Sequence, residues 1–81
     1  MLDLKFDYDG ENDVLYISIG SPRPSYGIEE SEGIIIRRDF STHELTGVTI
    51  LYLTKRLDDI DKLMEKLPFE CEIKKEMLFS N

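Results

Sequence analysis

The stretch from Phe6 to Gly20, FDYDGENDVLYISIG, sets a strand, an acidic turn and a second strand end to end, so its simplest fold is a β-hairpin. Before the turn, Leu2, Leu4, Phe6 and Tyr8 alternate with Asp3, Lys5, Asp7 and Asp9, the period of a strand with one buried face. After it, Val14 to Ile19 is apolar at almost every position, with Tyr16 and Ser18 facing opposite to Leu15, Ile17 and Ile19. That pattern predicts an interior strand, covered at least in part on both faces. Asp9, Gly10, Asn12 and Asp13 lie between the two strands. Gly accepts positive φ and Asx side chains bond their own backbone, so these residues close the turn.

The rest of the chain extends the sheet and then changes period. SPRPSYG, after Gly20, carries two prolines that lack a ladder donor, and it reads as a loop. Tyr26 to Glu30 is expected as a short edge strand, with Glu29, Glu30 and Glu32 discouraging edge pairing. Gly33 to Asp39 reads as a strand, Ser41 to Glu44 as a turn, and Leu45 to Leu53 as the longest strand. From Lys55 to Leu67 the apolar positions Leu57, Ile60, Leu63, Met64 and Leu67 recur at three and four, the stripe of one amphipathic helix. Thr54 or Asp58 is the expected cap, Asp58, Asp59 and Asp61 suit the positive end of the helix dipole, and Pro68 stops the helix. Phe69, Cys71 and Ile73 alternate with charged residues, which predicts a last strand, and Met77, Leu78 and Phe79 form an apolar tail. The expectation is an α+β fold in one domain spanning residues 1–81, an antiparallel meander of four to six strands packed against one helix.

Tyr8, Asp9, Leu15, Tyr16 and Ile17 around the first turn, Gly33 to Ile35, and Gly47, Ile50, Leu51, Lys55 and Arg56 together resemble the small bacterial and archaeal family known as domain of unknown function 2283. The resemblance covers Phe6 to Leu57 and brings no activity, catalytic residue or cofactor with it. The chain departs from the family pattern at one turn: Ser41, Thr42, His43 and Glu44 stand where an acidic turn ending in Gly is expected.

Composition narrows the function classes. With 41% apolar and 33% charged residues the chain is a folding sequence, and 81 residues bury so little surface that a second copy is expected to complete the core as a homodimer. Seventeen acidic residues against ten basic ones leave a net charge of −7, which argues against nucleic-acid binding because that affinity rests on cations displacing counterions. Cys71 has no internal disulfide partner, and no apolar run approaches a membrane span, so a cytoplasmic protein without membrane contact is expected.

No set of side chains selects a reaction, and a non-enzyme is expected. Asp7, Asp9, Glu11, Asn12 and Asp13 resemble a calcium loop only superficially, since Asn12 stands at the glycine position and Ser18 at the bidentate carboxylate position. His43 is the one histidine and Cys71 the one thiol, too few for a zinc site, and Cys71 falls on an apolar face where its thiolate is disfavoured. The five glycines are scattered and form no phosphate loop. No catalytic, metal or cofactor residue is therefore assigned.

Lys55 and Arg56 lie where a helix begins and cations oppose its dipole, so local structure gains nothing from them. With Arg37, Met77 and Phe79 they are the candidate partner contacts. The resulting expectation is a non-catalytic protein-interaction module, self-associating and binding another protein. A specific form is an antitoxin-like role, in which an acidic chain covers the cationic surface of a small basic toxin. The alternative is a small-ligand binder or enzyme with a pocket between sheet and helix and Tyr16, Tyr26, Tyr52, Arg37 or His43 at its mouth.

Overall fold

A computed structural model describes residues 3–69. Five strands, β1 (Leu4–Asp9), β2 (Val14–Ile19), β3 (Ser25–Ser31), β4 (Ile34–Asp39) and β5 (Leu45–Leu51), form one sheet with every neighbouring pair antiparallel. Their order is β1-β2-β5-β4-β3. The fold is thus α+β with an antiparallel sheet, as expected, but it departs from a sequential meander at one step. After β2, the loop through Ser21 and Pro24 carries the chain past two strand positions to the far edge, and β3, β4 and β5 then meander back to pair with β2. Pro22 and Pro24 keep that loop from adding a strand beside β2, which leaves the inner position for β5.

Register decides which side chains share a face. Phe6, Ile17, Val48, Ile36 and Ile28 stand opposite one another across all five strands, and Tyr8, Leu15, Ile50 and Ile34 form the next row. These rows make the core face. Val48, Ile50 and Leu53 have no exposure at all, and each such side chain contributes about 1.5–3 kcal/mol of burial. Ile28, in the same row but on the edge strand, lies beyond the covering layer and stays exposed.

The covering layer begins earlier than its apolar stripe suggests. Tyr52 has φ 56° and ends β5 at Leu51, so Leu53 belongs to a 3₁₀ segment, Leu53–Asp59, and an α-helix, α1 (Ile60–Glu65), continues from it. The expected single helix is a tighter turn followed by a short α-helix. Leu57, Ile60, Leu63, Met64 and Leu67 do pack on the core face, as does Phe69. Neither Thr54 nor Asp58 caps the start. Both helical segments lack a side-chain cap of their own, and the N-terminal N–H of Thr54 is satisfied instead by Asp13 from the β1–β2 turn. Of the strand expected over Phe69, Cys71 and Ile73, Phe69 lies in a bend, and the rest, like the tail at Met77 and Phe79, lies outside the described residues.

The opposite face carries Lys5, Ser18, Gly47, Arg37 and Gly27 in one row and Asp7, Tyr16, Thr49, Ile35 and Glu29 in the next. No described helix covers it. β2 is interior in the sheet, as expected, yet it is buried on one face only: Tyr16 and Ser18 are exposed. Among the described residues no helix is long and apolar enough to cross a membrane.

Candidate functional site

Three turns organise the surface. In the first, Asp9 Oδ1 accepts the N–H of Glu11 at 3.0 Å and of Asn12 at 3.3 Å, and Oδ2 accepts the Asn12 side-chain amide at 2.8 Å. In the turn from β4 to β5, Asp39 Oδ1 accepts the N–H of Ser41 at 2.7 Å and of Thr42 at 3.0 Å. Four residues after each aspartate the chain enters the left-handed region, at Asp13 with φ 57° and at His43 with φ 64°. Both hairpins therefore use one device, an Asx turn closed by a left-handed residue. His43 takes the conformation that the expected Gly would have taken.

These hydrogen bonds, first those from Asn12, hold the Asp9 carboxyl below the usual carboxylate range, and those from Thr42 and Ser41, with Arg23 nearby, do the same for Asp39. Asp13 is partly desolvated, which raises its pKa, but hydrogen bonds from Thr54 and Tyr8 and the charge of Lys55 outweigh this and lower it. The Tyr8 hydroxyl, donating to Asp13 at 2.7 Å, is pushed up in turn. Asp9 thus serves its own turn and Asp13 ties that turn to Thr54 and Tyr8, and no group of three or more metal-ligating side chains converges among the described residues.

A basic groove lies where the helical layer meets the β3–β4 turn. It is a depression of about 300 Å³ lined by Glu32, Lys55, Arg56, Asp59, Lys62, Leu63 and Lys66. Arg56 crosses Gly33 and donates to the Glu32 carbonyl. Gly33 has φ 74°, and a Cβ there would stand 2.6 Å from the Arg56 guanidinium, so only glycine seats this arginine. Lys55 is placed 5.9 Å from the centre of the Tyr52 ring, within cation–π range. Lys55 and Arg56, singled out by sequence, do line one site together. Lys62 and Lys66, which also line it, were signalled only by their four-residue spacing on the helix.

The remaining candidates are dispersed. Arg37 is beside Tyr16 on the sheet face opposite the helical layer. Tyr26 and His43 meet at the β4–β5 turn, with the phenol oxygen 3.0 Å from Nδ1 and the rings edge to face at 6.0 Å. Arg38 donates to the His43 carbonyl there, and Arg23 pairs with Asp39 at 3.5 Å and Glu44 at 3.3 Å. No described carboxylate hydrogen-bonds the His43 ring, so the pair lacks the third member of a proton relay. Tyr52 stands beside Lys55. The expected mouth of Tyr16, Tyr26, Tyr52, Arg37 and His43 does not assemble, because the space between sheet and helical layer is filled by Leu15, Ile34, Ile50, Leu53 and Leu63. Met77 and Phe79 lie outside the described residues.

Residues 5–53 match the model of a family described as Protein of unknown function (DUF2283). The matched stretch takes in nearly the whole sheet and stops at Leu53, the first residue of the helical layer. No curated protein and no solved structure matches the chain.

Proposed function

The chain belongs to the DUF2283 family, which brings no activity with it, and on that premise we propose that the domain is a non-catalytic protein-interaction module whose basic groove takes an acidic segment of its partner. The observation that carries this reading is charge segregation: four of the ten lysines and arginines line one groove on a chain of net charge −7. A cationic island on an acidic body orients an acidic partner and repels misplaced contacts. Arg56 is already fixed by the Glu32 carbonyl, so part of the ordering cost is met before binding.

The experiment is a comparison of two baits in the native host. Wild-type chain and the Lys55→Glu, Lys62→Glu, Lys66→Glu variant are used to isolate partners at low and high salt. A partner that binds the wild type, weakens with salt and is lost by the variant supports the reading. A partner retained equally by both baits overturns it.

An antitoxin-like role is the second reading, supported by Asp7 and Glu11, which leave exposed carboxylates on the first hairpin for a basic partner. It is distinguished by an Asp7→Asn, Glu11→Gln variant co-expressed with any small basic protein encoded next door: loss of co-elution supports it, and failure of the wild-type pair to co-elute at micromolar concentration rejects it. Self-association belongs to the same picture, with β1 as the edge that no described strand occupies, since β3 is guarded by Glu29, Glu30 and a bulge between Glu29 and Ser31. Sedimentation across a concentration series tests it.

A further inference from the structure

The sheet face that no described helix covers holds a second depression, of about 460 Å³, lined by Asp7, Tyr16, Ser18, Arg37, Thr46 and Thr49 around Gly47. Register explains it. Gly47 stands between Ser18 on β2 and Arg37 on β4, so a two-strand gap of about 10 Å has no side chain at its centre. The glycine is required, because a Cβ at this position would lie 2.5 Å from the Ile17 carbonyl oxygen. Tyr16, 41% exposed, forms one wall. A smaller depression of about 160 Å³ shares Ser18, Arg37 and Thr46 and continues the groove to Ser21 and Ser25.

Two side chains here have no partner among the described residues, the exposed Arg37 and the partly buried Thr46. The Arg37 side chain makes no hydrogen bond or ion pair with any described residue, although those of Arg23, Arg38 and Arg56 all do. Thr46 is the extra residue of a bulge, since Arg37 pairs with Gly47 and Arg38 with Leu45. Its Oγ1 is buried without a hydrogen-bond partner. Buried polar groups are nearly always satisfied, so an orphan beside a groove calls for a partner from outside the described residues, a water or a bound group. Thr46 itself is only partly buried and lines both depressions, so a ligand contact to its hydroxyl requires a change of χ1 rotamer on binding.

We propose that this groove binds a small oxyanion-bearing molecule, a carboxylate or a phosphate, held by the Arg37 guanidinium and by the hydroxyls of Ser18 and Thr46, with its body against Tyr16. A guanidinium offers a planar fork that matches either oxyanion, and hydroxyls donate to the remaining oxygens. Asp7 flanks the far wall, on β1, three strand positions from Arg37. Its negative charge repels a second anionic group and limits the ligand to one oxyanion near Arg37. The site is on the sheet face away from the basic groove and stands independently of the partner proposed there.

The test is an amide NMR titration with inorganic phosphate and, separately, with benzoate, at constant ionic strength set by chloride. Saturable shifts at Ser18, Arg37 and Gly47 are expected with at least one of the two anions. Saturation by phosphate alone assigns a phosphate ligand, by benzoate alone a carboxylate, and by both the shared oxyanion chemistry. Arg37→Gln weakens the binding about tenfold or more, and Thr46→Val weakens it severalfold while keeping the side-chain shape. Thr46→Val also raises the melting temperature without ligand, because it removes an unsatisfied hydroxyl, which shows that the variant folds. Shifts that never saturate, or an Arg37→Gln variant that binds as well as the wild type, overturn the proposal.

Discussion

The carboxylate of Asp13, in the first hairpin turn, accepts both the backbone N–H of Thr54 at 3.0 Å and its hydroxyl at 2.7 Å, forty-one residues further along the chain. Asp13 does for the helical layer what an N-cap residue does for its own helix, and the Leu53 N–H adds a bond to the Asp13 carbonyl at 3.2 Å. One turn residue thereby ties the β1–β2 hairpin to the layer that covers the core.

Asp13→Ala is therefore expected to destabilise the fold by about 1–2 kcal/mol, the usual cost of a lost cap. Tyr8→Phe removes one donor to the same carboxylate and costs less, and the double variant is less harmful than the sum of the two because they share that acceptor. Urea denaturation of the three variants measures the coupling. Strict additivity would show that Asp13 and Tyr8 do not act as one unit.

Acid stability follows from the same carboxylates. Asp9, Asp13 and Asp39 all have folded pKa values below the ordinary one. The unfolded chain then binds more protons than the folded one between the two values, so their stabilisation is complete above the unfolded pKa of about 3.9 and is lost as pH falls through the folded values. Tyr8 acts in the opposite sense, since its raised pKa adds stability below about pH 10 that is lost as pH rises through its folded value. Melting temperature against pH should fall at both ends, and Asp13→Asn should flatten the acid limb.

His43→Gly is expected to raise stability by about 0.5–1 kcal/mol, because a left-handed conformation costs a residue with a Cβ about 1–2 kcal/mol and the lost Tyr26 contact returns part of the gain. Thermal denaturation decides it. A lower melting temperature would mean that the Tyr26–His43 contact outweighs the backbone strain.

Gly33→Ala and Gly47→Ala separate two kinds of glycine. At Gly33 the new methyl meets the movable end of Arg56 and a positive φ, so a loss of about 1–2 kcal/mol accompanies displacement of Arg56 from Glu32. At Gly47 it meets the Ile17 backbone carbonyl, which cannot move without opening the β2–β5 ladder, and the loss should exceed about 2 kcal/mol. Equal effects at the two sites would contradict this assignment.

Leu53→Ala should cost about 2–5 kcal/mol, since the side chain is fully buried at the start of the helical layer. A loss under about 1 kcal/mol, read from urea denaturation, would mean that the layer collapses onto the cavity.

Alternation in Leu4 to Tyr8 and in Leu15 to Ile19 was enough to give two strands, their turn and the division of their side chains between two faces, but not that β2 buries only one of them. The three- and four-residue spacing from Leu57 to Leu67 likewise sufficed to mark the covering layer. Strand order was not written there: whether β2 pairs with β3 or β5 depends on where the loop after Gly20 goes, and local pattern holds no record of a long-range pairing. The same reason hid the Asp13–Thr54 bond, the seating of Arg56 on Gly33, and the bulge that sets Thr46 beside Arg37. Lys55 and Arg56 were legible as locally unrewarded charges, but their grouping with Lys62 and Lys66 required the helical layer to turn back over the β3–β4 hairpin. Sequence alone determined which side chains leave water, through periodicity. Only the tertiary structure decided which polar groups meet, because those meetings depend on strand order and on single left-handed residues at 13, 43 and 52.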